Sequence, residues 1–136
     1  MSACSTLNTT DLIKGSQGRP FLMTQGIRFR LKNRVFKSPA DGGGPFDLTG
    51  FTGRSQMRVD PSDQGPPIAT FTVTVLVPGT NGVADVVLDP SDNANIETGI
   101  YVFDIEYIDG LDPENIISGT SGRFLYIQVL PGVTKP

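Results

Sequence analysis

The segment from Ile96 to Ile108 constrains the fold more than any other part of the chain. From Tyr101 onward it alternates strictly: Tyr101, Phe103, Ile105 and Tyr107 share one face, and Val102, Asp104, Glu106 and Ile108 share the other. A period of two is the signature of a half-buried β-strand. The residues leading into it read as a corner. Gly99 stands two places before Tyr101, with Ile96 and Glu97 just upstream. At such a corner the tyrosine ring stays in the core while its hydroxyl bonds to backbone a few residues upstream. The segment therefore speaks to fold, and no catalytic role follows from it.

The rest of the chain is compatible with one β domain. Its 136 residues set a single domain as the default and suffice for one core. Gly 16 and Pro 11 suit many turns between short strands. The net charge of -3 argues against a nucleic-acid surface, which needs a concentrated basic face. Histidine is absent, which removes the common catalytic triads and His-ligated metals. Cys4 is the only cysteine, so no internal disulfide forms and a reducing compartment fits better than secretion. No apolar run approaches the roughly 18 residues of a membrane span, and Met1 to Lys14 lacks the apolar centre of a signal peptide.

Taken in order, residues 1–18 are rich in Ser, Thr, Asn and Gly, with Leu7, Leu12 and Ile13 as the apolar anchors. Such a segment buries too little to fold alone. The expectation is an extended arm over 1–18, either a disordered tail or an arm ordered against a neighbouring subunit, followed by a domain over 19–136. Phe21 to Thr24 reads as extended. Ile27, Phe29 and Leu31 then alternate with Arg28, Arg30 and Lys32, a basic-out strand that is solvated or blunts a sheet edge. Ser38 to Pro45 is a loop whose triple glycine lacks the Lys-Ser/Thr of a phosphate loop. Leu48 is placed to plug one end of the core, with Asp47 and Thr49 bonding locally to backbone.

Further strands are expected over Arg54–Val59, Ile68–Val77, Val83–Leu88 and Arg123–Leu130. Ile68–Val77 has Ala69, Phe71, Val73, Val75 and Val77 facing in. Asp89 is a candidate cap for a helical turn opening at Pro90. About seven strand signals with almost no helix make the fold class all-β, a single antiparallel β-sandwich.

The acids are the one place where chemistry could sit. Asp104 and Glu106 share the outer strand face, roughly 7 Å apart, with Asp109, Asp112 and Glu114 in the following loop. Neither a calcium loop nor a catalytic pair is spelled out around them. A solvated or cross-strand-paired face is expected, with Arg54, Arg58 or Arg123 as partners. No serine or cysteine has a base in a recognisable motif. The sequence thus predicts no catalytic residue, no cofactor and no metal, and no enzyme.

Several motifs, in order, carry a resemblance. They are Gly18-Arg19-Pro20-Phe21; Pro45-Phe46-Asp47-Leu48-Thr49-Gly50; Arg54-Ser55-Gln56-Met57-Arg58; Leu88-Asp89-Pro90-Ser91-Asp92; and Ile96 through Glu106, closing with Gly122 to Val129 and Val133-Thr134. From about Arg19 to Thr134 the chain resembles the Ig-like amino-terminal domain of tailed-bacteriophage baseplate upper proteins and related tail and fibre components. Within that resemblance Gly99 and Tyr101 are the tyrosine corner of strand F, with Glu97 where the family usually has Asp.

The resemblance implies an Ig-like sandwich acting as a structural protein in the virion tail or baseplate, assembled in the host cytoplasm. Its partners would be other virion proteins and copies of itself, without nucleic acid, membrane or small-molecule substrate. Family members often continue into a receptor-binding or coiled segment where this sequence reaches Pro136, so an adaptor, decoration or scaffold role is expected. A capsid decoration protein is the nearest alternative. A carbohydrate-binding module is another, set back by the absence of Trp and by the inward placing of Tyr101, Phe103 and Tyr107.

Overall fold

The computed structural model describes residues 19–132; the arm expected over 1–18, with Leu7, Leu12 and Ile13, lies outside them. Eight strands follow one another: β1 (Phe21–Thr24), β2 (Phe29–Arg34), β3 (Phe51–Arg58), β4 (Ala69–Val75), β5 (Val83–Leu88), β6 (Gly99–Asp109), β7 (Ile116–Ser118) and β8 (Leu125–Leu130). A helical turn, α1 (Pro90–Asn93), leads towards β6. The all-β class is as the sequence implies. The strands form one nearly closed sheet in the order β1-β8-β6-β3-β4-β5-β2, with β7 pairing separately onto β6.

Several details differ from the expectation. The eighth strand is β7, three residues long, which pairs Ile116–Ser118 with Glu106–Ile108. One pair is parallel, β1 with β8, in the register Phe21 to Ile127 and Thr24 to Leu130. The two halves of the sheet are joined through β4. Its first residues, Ala69–Phe71, pair with Met57–Ser55 of β3, and its later ones, Thr72–Val75, pair with Val87–Ala84 of β5. A strand that changes partners part-way along is how a sheet turns a corner.

Alternation decides which side chains go in. On β6, Phe103, Ile105 and Tyr107 are buried as the pattern requires, but so is Val102 on the opposite face. Phe21, Phe103, Phe71 and Phe29 run across the interior with successive ring centroids 5.9, 5.4 and 5.8 Å apart. They connect β1, β6, β4 and β2, and each fully buried ring contributes about 1.5–3 kcal/mol by leaving water. Leu48 is fully buried, and Asp47 accepts the Thr49 backbone N–H at 2.9 Å, both as expected.

Three residues placed inward by the pattern are out. Val59 lies one residue past the end of β3 and Val77 two past the end of β4, so alternation no longer governs them; Ile27 sits in the turn before β2. Asp89 does precede α1 with Pro90 at the first helical position, but its side chain makes no cap. It pairs instead with Arg28, Nε to Oδ1 3.2 Å.

Candidate functional site

The corner before β6 is built as anticipated at its polar end. The Tyr101 hydroxyl donates to the Glu97 carbonyl at 2.7 Å, and Gly99 adopts φ +154°, a region that side chains rarely enter. The ring is only half-buried. It packs against the edge of the core and leaves the hydroxyl near solvent, so the expectation of a mostly buried Tyr101 is corrected. Burial, and the nearby Glu97 carboxylate, still push the phenol above its ordinary value.

The buried polar centre lies elsewhere. Tyr107 on β6 donates to Asn33 Oδ1 at 2.7 Å, and Asn33 Nδ2 on β2 donates to the Gly119 carbonyl at 2.9 Å. Gly119 N–H in turn reaches the Ile105 carbonyl at 2.7 Å. Asn33 and Tyr107 are both fully buried, and burial holds the Tyr107 hydroxyl firmly protonated. Asn33 carried no signal in the sequence beyond standing in an alternating strand. A second latch uses Asn93, which takes the Gly26 N–H at 2.8 Å and donates to the Ile27 carbonyl at 2.7 Å. The first network joins β6 and β2 to the segment after β7, the second ties α1 to the turn between β1 and β2, and both are architectural.

The acidic face is held by one of its anticipated partners. Arg54 on β3 stands opposite Glu106 on β6 in register. It donates to Oε1 from Nε at 3.1 Å and from Nη2 at 2.6 Å. Arg58 instead donates to the Gly65 carbonyl and to Gln56. Asp104 sits between them. Burial, and then the Glu106 charge, raise its carboxyl above the ordinary 3.8, while Arg54 and Arg58 pull the other way. These groups line a shallow cleft with Pro61, Asp63 and Phe124. Among the described residues no group of three metal-ligating side chains converges. The two carboxylates can meet cationic side chains, and Arg54 already pairs with Glu106.

Two other surfaces remain. The outer face of β1, β8 and β6 is apolar at one end. Leu22 and Ile100 flank Gln128 in register, and Tyr126 with Phe124 extends the patch along the alternation of β8. Leu22 is 62% exposed, Ile100 59%, and Phe124 and Tyr126 45% each. The basic face of β2 and the residue before it is partly neutralised by Arg30 on Asp85 at 2.7 Å and Arg28 on Asp89.

Between β1 and β2, the two ends of the sheet path, runs a groove of about 420 Å³. It is lined by Phe21 to Thr24 and Ile27 to Lys32. The exposed aromatics Phe124 and Tyr126 were missed because no sequence rule tells the outer face of the last strand from a covered one. No protein-family model matches the chain, and no curated protein matches it either.

Proposed function

We propose that the chain is a structural subunit of a bacteriophage virion, in the tail or baseplate, that works by protein–protein contact. The observation that carries this reading is the apolar outer face of Leu22, Ile100, Phe124 and Tyr126. Grouped exposed side chains of this kind mark surfaces that other proteins cover. The Ig-like frame implied by the resemblance supports it further. The Tyr101–Glu97 corner is a feature of such a frame. Mass spectrometry of purified particles from the producing host tests it. The chain should co-purify with intact virions; a chain that stays in the soluble lysate while other virion proteins sediment sinks the reading. Its position in a particle map separates a tail component from a capsid decoration protein.

A carbohydrate-binding module remains a second reading, because Phe124, just before β8, and Tyr126 on β8 offer two exposed aromatic faces, the feature that stacking on sugar rings requires. Glycan titration followed by amide NMR separates the two. Saturable shifts confined to these residues favour the sugar.

A further inference from the structure

We infer that the cleft beside Asp104 holds one pyranose ring of a neutral glycan, with Phe124 against the face of the ring and the carboxylates of Asp104 and Glu106 on its hydroxyls. The inference rests on the carbohydrate reading, the second given above, and supplies that reading with a site. The dent has a topological cause. β6 pairs with β8 over Gly99–Phe103 and with β7 over Glu106–Ile108. Asp104 falls in the gap between these two partners, where the segment after β7 reaches β6 through the Gly119 N–H on the Ile105 carbonyl. The register of Phe103 with Leu125, carried one residue on, sets Phe124 beside Asp104. On the other flank, Gln56 of β3 stands opposite Asp104. An aromatic, an acid and an amide thus share one row of the outer face.

The surroundings make that row concave. Val102, next along this face, is only 4% exposed and gives the cleft an apolar floor. The turn after β3 brings up Pro61 and Asp63 as a wall, and Arg58 ties that turn down by donating to the Gly65 carbonyl. The space is about 270 Å³. Small-molecule sites begin at roughly 300 Å³, so one ring fits and a longer chain stays outside.

The free hydrogen-bonding groups match hydroxyls. Arg54 occupies Oε1 of Glu106, and Arg58 occupies Oε1 of Gln56. Ser55 engages Asp104 through its backbone carbonyl at 2.6 Å. Among the described residues, the Asp104 carboxylate, Glu106 Oε2 and Gln56 Nε2 make no hydrogen bond. A carboxylate takes adjacent O–H donors on its two oxygens, and such charge-assisted bonds are about twice as strong as neutral ones. Burial raises the Asp104 carboxyl, a cost that hydroxyl donors to its charged form relieve. The exposed face of Phe124 meets the C–H face that a pyranose presents. Charge selects against an ion. Arg54 and Glu106 already pair at 2.6 Å, and Arg58 stands among Asp63 and Asp104. A free cation or anion entering the cleft meets a like charge, which is costly; a neutral polyol gains from both signs.

Amide NMR of the full-length chain tests this. The neutral probes are the methyl α-pyranosides of glucose, galactose and mannose; glucosamine and glucuronate supply charged rings of the same size. At millimolar concentration at least one neutral probe should give saturable shifts centred on Gln56, Asp104 and Phe124, and should bind more tightly than either charged sugar. Phe124→Ala and Asp104→Asn should each weaken it about tenfold or more, the loss expected when an aromatic platform or a charged acceptor is removed. Both side chains lie outside the core, and an otherwise unchanged amide spectrum shows that the variants stay folded. Saturable shifts centred on Tyr126, with the cleft amides unmoved, overturn this inference and leave the carbohydrate reading standing. No saturable shift with any neutral probe sinks both. Tighter binding of glucosamine overturns the inference in favour of a cation site. Variants that bind as the parent does overturn it as well, because the ring then sits elsewhere. The virion reading stands apart from all four outcomes and is decided on purified particles.

Discussion

The buried hydroxyl of Tyr107 and the half-exposed one of Tyr101 make contrasting demands on the fold. Tyr107 donates to Asn33 in the dry interior, so Tyr107→Phe leaves the Asn33 oxygen without its donor. A buried polar atom stripped of its partner costs about 1–3 kcal/mol. Tyr101→Phe loses a bond that water can replace and should cost about 1 kcal/mol or less. Urea unfolding of the two variants checks the order; equal losses show that the corner is as dry as the core. Asp104 adds a pH signature. Its folded pKa lies above that of the unfolded chain, so native stability falls as the pH rises from 3.8 through the folded value. Asp104→Asn should therefore be the more stable protein at neutral pH, with the difference vanishing below pH 3.8, the ordinary carboxyl value. A gap that persists in acid would mean the variant gained a contact and did not lose a buried charge. Tyr101 and Asp104 were both legible in the sequence as members of an alternating strand. Asn33 was not, because a polar residue in an inward register reads as an interruption until its partners across the core are known.

At the scale of strands, the place where β3 and β4 part is set by one glycine. Their pairing stops at Ser55 and Phe71, and two rungs further the same register would set Gly53 against Val73. A Cβ on Gly53 would stand 2.2 Å from Val73 Cγ1, so the valine occupies the space a side chain would need. The close approach lies just where β4 leaves β3 for β5. Gly53→Ala should destabilise by about 1–3 kcal/mol through overpacking. Val73→Ala should destabilise by itself and yet relieve much of that loss when combined with it, a coupling that a double-mutant cycle in urea reads directly. Additive losses would show that the backbone at Gly53, and not Val73, bears the strain. Apart from the three-residue β7, strand existence was readable from period two, and β5 has the bounds anticipated for it. The ends of β3 and β4 were not, because alternation in Val59 and Val77 continues past the point where pairing ends. The parallel pairing of β1 with β8 was equally hidden, since a short strand's pattern is the same in either direction.

For the whole molecule, the described residues already make one core and a nearly closed sheet. Every buried apolar side chain among the described residues falls between Met23 and Val129, and the aromatic line from Phe21 to Phe29 spans the interior from one end strand to the other. Among the described residues, the hydrophobic term that offsets chain entropy comes from this core. Ordering an arm costs backbone entropy of roughly 1–2 kcal/mol per residue, a loss that contacts from another molecule must offset. Deleting residues 2–14 should then shift the melting midpoint of the dilute chain by less than the roughly 2–8 °C that 1 kcal/mol produces in domains of this range. The same deletion should weaken self-association at high concentration and incorporation into particles. Calorimetry at low concentration, with sedimentation at high concentration, measures both. A midpoint that falls well beyond that range means that the segment is a strand of its own sheet and that the domain begins before Arg19. An unchanged midpoint with unchanged association means that the segment joins no copies, and that the apolar outer face of β1, β8 and β6 must serve the partner contacts instead.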